Sequence, residues 1–479
     1  MSDFWSTFGV DLHLELDSAA GRRSGLERAL RDAVRAGRLA PGVRLPSTRT
    51  LAAELGLSRG TVSAAYDQLV AEGYFVARRG SGTEVADLEQ RAANTAPSPA
   101  RAAAPRHNLK PGSPDVTTFP TAAWLRSVRR ALNTAPADVY GYGDARGRLE
   151  LRTALAEYLG RARGVLAEPG QIVITSGYVQ ALALLVTVLQ RSGTDTIAME
   201  DPGLPFHREV VRRAGASVVA LPVDDRGART DLLAAGALRS VGAVVVTPAH
   251  QYPTGATLHP ARRRTLLDWA RTRGGLVVED DYDGEFRYDR QPVGALQGTA
   301  PDHVAYVGTA SKTLGPGVRL GWIVLPPHLV EPISQAKLYA DVHTESLGQL
   351  ALTDLIASHT YDRHIRVCRL RYRGRRDLLL DRLESRPANP APGYSLHGVA
   401  AGLHALISLP ATGPDEQQLL ARAAEQDVAL DGMSDHWHGE GPRTPGGLIV
   451  GYGSCTDRAY PAALDALASV LRIVPMHVR

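Results

Sequence analysis

Lysine is almost missing from this 479-residue chain. Of its 54 basic residues only Lys110, Lys312 and Lys337 are lysine, so 51 are arginine. A lysine that persists against such a bias invites a chemical reason. Cysteine is scarcer still. Cys368 and Cys455 are too few for a disulfide framework, which points to a reducing cytoplasm. No stretch reaches the roughly 18 apolar residues of a membrane span, and residues Met1 to Leu16 lack the unbroken apolar run of a secretory signal. A strong net charge is also absent. The formal +4 is small for this length and argues by itself for no polyanionic partner.

What is present is the balance of a globular protein, 44% hydrophobic and 22% charged, at a length that predicts two or three domains. Residues 21–86 carry eleven arginines against six acidic residues and read as a compact helical head ending in a glycine-rich hairpin. We place a first domain over 1–86. The Ala- and Pro-rich stretch over 87–107 has almost no large apolar side chains and reads as a linker. From 108 to 479, runs such as IVITSG, AVVVTP, GLVVED and VAYVGTASK alternate with helical stretches. That alternation predicts a mostly parallel α/β sheet. A small subdomain is expected over about 331–479, opening with one long helix through SLGQLALTDLIASHTYDRHIRVCRLRYRGRRDLLLDRL.

In LPSTRTLAAELGLSRGTVSAAYDQLVAEGY (45–74), Ser47 is placed to cap a first helix with Leu51, Ala52 and Leu55 on one face. Gly56 makes the turn and Ser58 caps a second helix whose Val62, Ala65, Tyr66 and Leu69 face inward. Arg59, Thr61 and Ser63 then project outward where a recognition helix meets base edges. The following YFVARRGSGTEVA reads as a two-stranded wing with Arg78 and Arg79 near its tip. A plain helix pair with a solvated arginine face would satisfy the spacing alone. The combined pattern resembles the GntR family of regulators, whose consensus sets Pro-Ser-x-Arg, Ser-Arg-x-Thr-Val and Glu-Gly-Tyr in this order. The resemblance implies that Arg49 and Arg59 contact double-stranded promoter DNA, with Ser58, Thr61 and Ser63 supporting and Arg79 and Gly80 in the wing.

The sharpest chemistry lies in GTASKTLGPGVRLGW (308–322). Lys312 follows a hydroxyl-bearing stretch directly after an apolar strand, and a buried lysine with a lowered pKa condenses with aldehydes. Thr309, Ser311 and Arg319 are suited to a phosphate. A lone Ser-Lys pair is normally a surface feature, and three other segments weigh against that reading. GLVVEDDYDGEF (275–286) puts acids at the carboxyl end of a strand, where α/β folds bind ligands. IVITSGYVQALALL (172–185) offers Ser176, Gly177 and Tyr178 at a helix N-terminus. VVVTPAHQYPTGATL (244–258) is a strand followed by a tight turn.

Together these resemble fold-type I enzymes of the aspartate aminotransferase group, which use pyridoxal 5'-phosphate. The resemblance implies that Lys312 links to the cofactor and that Asp280 pairs with its pyridine nitrogen, Asp281 remaining an alternative. It further implies that Tyr282 contacts the ring hydroxyl and that Ser176, Gly177, Tyr178, Thr309, Ser311 and Arg319 hold the phosphate. Tyr140 then reaches a neighbouring subunit's phosphate in a homodimer. No metal set is expected. A GntR head on such a body is the arrangement of the MocR subfamily, whose dimers are head-to-tail with exchanged DNA-binding domains and for which RNA polymerase is a candidate partner.

Three departures favour sensing over turnover. The strand GGLIVGYGS (446–454) has Leu448, Ile449 and Val450 where aminotransferases hold the substrate carboxylate with arginine, and Arg443 lies upstream at poor spacing. His250, Gln251 and Tyr252 replace the asparagine under the ring. Leu204 stands where a stacking aromatic is expected, with Phe206 two residues late. The missing arginine points to pyridoxal phosphate itself as effector, as in PdxR-like regulators of vitamin B6 synthesis. The alternatives are an amine or amino acid effector, or a working aminotransferase.

Overall fold

The computed structural model describes residues 21–78, 82–87, 105–288, 293–384, 394–410, 412–439 and 446–472. The chain divides into two compact units, Met1–Ala103 and Ala104–Arg479. Most of the expected linker, and Arg79, Gly80 and Arg443, lie outside the described residues.

In the first unit α1 (Arg22–Arg35), α2 (Thr48–Leu55) and α3 (Arg59–Ala71) precede an antiparallel pair of strands, Phe75–Arg78 and Gly82–Val85. The Ser47 and Ser58 hydroxyls accept from the amides of Thr50 and Thr61, each at 3.1 Å, which caps α2 and α3. Gly56 takes the left-handed conformation (φ 63°) that reverses the chain between them. Leu51, Val62, Ala65 and Leu69 are fully buried with Leu26 and Leu30 of α1. Burial of each leucine contributes roughly 1.5–3 kcal/mol, so the apolar periodicity that marks these helices also holds them together.

In the second unit an eight-stranded sheet runs, from one edge, Ile172–Thr175, Gly321–Val324, Val304–Thr309, Leu276–Asp281, Ala243–Val246, Thr196–Asp201, Ser217–Asp224 and Gly227–Ala228. The five strands from Val304–Thr309 to Ser217–Asp224 are parallel. The Ala243–Val246, Leu276–Asp281 and Val304–Thr309 strands are buried along their whole length, which is why each opens on a run of apolar residues rather than an alternation. Around the sheet lie α4 (Thr121–Thr134), α5 (Leu149–Arg163), α6 (Tyr178–Arg191), α7 (Pro205–Arg213), α8 (Pro260–Arg273), α9 (Pro327–Asp341) and α10 (Ser346–Ala357).

A second, antiparallel sheet of Ser395–His397, His404–Ser408, Gly447–Gly451 and Asp431–Gly432 packs with α11 (Thr360–Glu384), α12 (Glu416–Glu425) and α13 (Tyr460–Arg472). The expected single long helix is two, α10 and α11, because His359 adopts a left-handed conformation (φ 54°) between them. No glycine or proline announces that break. The small subdomain also begins later than residue 331. Leu329 and Ile333 of α9 and Leu352 and Leu355 of α10 join the cores of the large sheet, whereas Cys368, Tyr372 and Leu379 of α11 join the second core. That second core recruits Leu109 from the start of the unit, where His107–Asn108 pairs with Val428–Ala429.

Candidate functional site

The carboxyl ends of the parallel strands open onto a cavity of about 440 Å³, the position at which such sheets bind ligands. Lys312, Asp280, Tyr282, Tyr178, Thr309, Ser311 and Arg319 all line it. Lys312 stands three residues beyond the Val304–Thr309 strand, and its Nζ donates to the Gly112 carbonyl. Burial lowers its pKa below the usual lysine value, against the pull of Asp283 and Asp280. More of the amine is therefore neutral, the form that attacks an aldehyde.

Adjacent acids on one strand point to opposite faces, and this separates Asp280 from Asp281. Asp281 accepts from Arg163 at 2.6 and 2.9 Å and from the Tyr306 hydroxyl at 2.7 Å, so its oxygens are engaged. Asp280 lines the cavity, and its Oδ1 is buried without a hydrogen-bond partner. Burial pushes its carboxyl well above the usual range. The Tyr178 hydroxyl is likewise buried and faces the Asp280 carboxyl. Tyr282 directs its hydroxyl to the His250 carbonyl at 3.2 Å, with His250 Nδ1 at 3.3 Å.

Among the anion-binding candidates, Thr309 Oγ1 donates to Ser311 Oγ at 2.9 Å, and the Ser311 amide donates to Thr309 Oγ1 at 3.1 Å. Arg319 adopts a left-handed backbone (φ 56°) and has no ion-pair partner among the described residues. Its guanidinium would sit 3.4 Å from a Cβ at residue 177, so glycine keeps that side open. Ser176 and Gly177 are not in the cavity wall. The Ser176 amide is already donated to Gln180 Oε1 at 2.8 Å, and α6 begins one residue past Gly177. Tyr140 is 65% exposed and also lies outside the wall.

Sequence reasoning missed His207, Arg208 and His404, all of which line the cavity. Leu204 lines it too, while Phe206 is mostly exposed. His207 brings a planar ring to the same wall and packs on Tyr178 with ring centroids 4.5 Å apart. Burial lowers its pKa to about 3, so the imidazole is neutral. The signal was available: 204 caps α7, and residues three apart share a helix face. Arg208 donates to the carbonyls of Gly203, His436 and Trp437 at 2.7, 2.8 and 3.0 Å, so its guanidinium is largely committed to main chain. Leu448, Ile449 and Val450 are fully buried.

In the first unit Arg49, Ser58 and Arg59 are exposed, and Thr61 and Ser63 are half-buried. The Ser58 and Thr61 hydroxyls lie 2.8 Å apart. Arg78 pairs with Glu84 at 2.7 Å, which offsets the charge expected of it in the wing.

A winged helix-turn-helix unit and an aminotransferase-type sheet with a lysine-bearing cavity, in one chain, define a transcription regulator with an enzyme-derived body. Residues 23–85 match the family described as bacterial regulatory proteins, gntR family, and residues 108–433 match aminotransferase class I and II. The pyridoxine biosynthesis transcriptional regulator PdxR of Corynebacterium glutamicum is 31% identical over 90% of this chain and 91% of its own. The probable rhizopine catabolism regulatory protein MocR of Rhizobium meliloti is 32% identical over 96% and 95%. The kynurenine aminotransferase of Pyrococcus horikoshii, solved with PMP, superposes with a TM-score of 0.67 at 26% identity, covering 76% of this chain and 90% of that one. The chain belongs to the MocR-type GntR regulators, which join a DNA-binding head to an aminotransferase class I and II body. No helix among the described residues is long and apolar enough to cross a membrane.

Proposed function

We propose that this regulator binds pyridoxal phosphate in the Lys312 cavity and that occupancy changes its affinity for promoter DNA. The observation that carries the reading is the Asp280 carboxyl, buried in the cavity wall with the Tyr178 hydroxyl beside it and no cation or well-formed hydrogen bond on Oδ1. Buried polar atoms are rarely left so, and a protonated pyridine nitrogen is a donor of the right kind. Lys312 supplies the amine and Tyr282 the donor toward the ring hydroxyl. Thr309, Ser311 and Arg319 supply the phosphate contacts, with Tyr178 beside Asp280. Bound there, the cofactor contributes an aldehyde and an electron-withdrawing ring.

The effector in this proposal is the cofactor itself, and the target is vitamin B6 synthesis, as the name of the Corynebacterium relative suggests. Arg208 is committed to three carbonyls, and Arg319 sits with the phosphate candidates. The described cavity therefore offers no further guanidinium to an amino acid carboxylate. Arg49 and Arg59, with Ser58, Thr61 and Ser63, contact DNA in this reading, and the exposed Tyr140 completes the site of a second subunit in a homodimer. The protein works in the cytoplasm, where promoter DNA and RNA polymerase are.

The test is a titration of the cofactor-free protein on its upstream DNA, first with pyridoxal phosphate, then with amines and amino acids on the loaded protein. A change of affinity with pyridoxal phosphate alone is expected. A response only when amine is added would move the effector to the amine class.

A further inference from the structure

Behind Tyr282 lies a buried group that neither the cofactor contacts nor the DNA contacts use. Asp283 and His250 are 2% and 3% exposed, and His250 Nδ1 is 2.8 Å from Asp283 Oδ2. The Tyr282 hydroxyl shares that nitrogen at 3.3 Å and donates to the His250 carbonyl at 3.2 Å. The small subdomain closes over the pair. A Cβ on Gly402 would stand 2.3 Å from His250 Nδ1 and 2.5 Å from Asp283 Oδ2, so only glycine, here at φ 69°, fits. His404 packs on the His250 ring at 4.8 Å between centroids.

We propose that His250 and Asp283 are a positioning pair that holds the Tyr282 hydroxyl proton available to the cavity. A buried carboxylate takes whatever donor is nearest. Asp283 lies within reach of the Tyr282 hydroxyl, and while the Nδ1–H of His250 occupies its Oδ2 its pull on the tyrosine proton is weakened. The hydroxyl then donates to the weaker His250 carbonyl, which it can leave when a ligand oxygen arrives. Without the imidazole, Asp283 competes for that proton and turns the hydroxyl away from the cavity. The other groups facing Tyr282 are Asp280 and Tyr252, and neither holds His250.

The inference rests on the cofactor reading, and the full-length protein loaded with pyridoxal phosphate tests both. The visible band of the Lys312-linked cofactor is titrated with pH. A donor on the ring oxygen favours its ionised form, so Tyr282→Phe moves the midpoint upward. His250→Phe is expected to move it the same way, by about one pH unit, roughly tenfold in the equilibrium. His250→Asn, whose side-chain N–H still reaches Asp283, restores most of the wild-type midpoint. In the Tyr282→Phe background His250→Phe adds nothing, because it acts through that hydroxyl. An undiminished shift in that background, or none in the wild type, overturns the inference. So does stoichiometric metal in the purified protein whose removal moves the midpoint, since His250, Asp283 and His404 present ligand atoms within 4.8 Å of one another. A colourless wild type overturns the cofactor reading and this inference together.

Discussion

The head and the body keep their chemistry on opposite sides of the solvent boundary. In the head, Arg49 and Arg59 stand exposed on or beside capped helices, and the buried residues are an apolar core. In the body the core is lined with ionisable groups: Asp280, Asp281, Asp283, Glu200, Glu279, Arg163 and His404 are each at least nine-tenths buried. A surface of exposed arginine attracts a polyanion over a Debye length and is weakened by salt. A buried site desolvates its ligand and depends on geometry, because an unpaired group there costs about 1–3 kcal/mol. The two units should therefore fail separately when their residues are changed.

Lys312→Ala is the largest expected break. It removes the only lysine amine among the described cavity residues and should abolish the visible absorbance of the loaded protein. The affinity of the cofactor-free protein for DNA, read by fluorescence anisotropy, should stay at wild type. Loss of that basal affinity would show that the units are not separable. Arg59→Ala attacks the other side and should cost about 1–3 kcal/mol of DNA binding, with cofactor absorbance unchanged. If Arg59 reads a base, the loss is confined to cognate sequence. If it reads only phosphate, binding weakens on every sequence and the salt slope falls by about one.

Acid should push the two units in opposite directions. Burial raises Glu200 and Glu279 from 4.5 to about 7. The fold therefore takes up protons between those values. Their contribution to stability is complete below 4.5 and is lost as pH rises through about 7. Lowering pH from about 8 to 7 should raise the body's unfolding midpoint, each group giving at most about 1.4 kcal/mol per pH unit. Below about 6.5 the buried His207 and His404, whose pKa values burial lowers, act in the opposite sense. In the head, hydrogen bonds from Gln68 and Arg31 hold Glu72 below its ordinary 4.5. Its contribution is present above 4.5 and is lost as pH falls through the lowered value. Tryptophan fluorescence of a Trp5→Phe variant reports the body, because Trp124, Trp269, Trp322 and Trp437 are the tryptophans then left. Amide exchange reports the head. A body midpoint that falls between pH 8 and 7 would contradict the assignment.

Legibility followed the range of the interactions. The caps at Ser47 and Ser58, the turn at Gly56 and the inward face of α3 are local, and periodicity revealed them. The shared cavity position of Lys312, Asp280 and Tyr282 was legible because each sits at or just beyond the end of a strand whose apolar run is plain. Asp280 and Asp281 were told apart by Arg163 and Tyr306, 118 and 25 residues away in sequence. His404 and Gly112 reach the cavity from the small subdomain side and from the start of the unit, and no local pattern announces such contacts. The break at His359 is hidden for another reason: the left-handed residue there is neither glycine nor asparagine.

The finest distinction concerns Ser58, to which the head's sequence assigns two roles at once. Its Oγ accepts from the Thr61 amide at 3.1 Å and lies 2.8 Å from Thr61 Oγ1, so it caps the helix that carries Arg59. It is also exposed and therefore within reach of a phosphate. Replacing an N-cap serine by alanine costs typically about 1 kcal/mol of stability, and by glycine only a few tenths. If capping is the whole role, Ser58→Ala lowers the head's protection from amide exchange while Ser58→Gly nearly preserves it, and DNA affinity follows the same order. If the hydroxyl also donates to phosphate, both variants lose the same affinity whatever their effect on exchange. Equal losses in anisotropy with unequal losses in protection would move Ser58 from the helix to the interface.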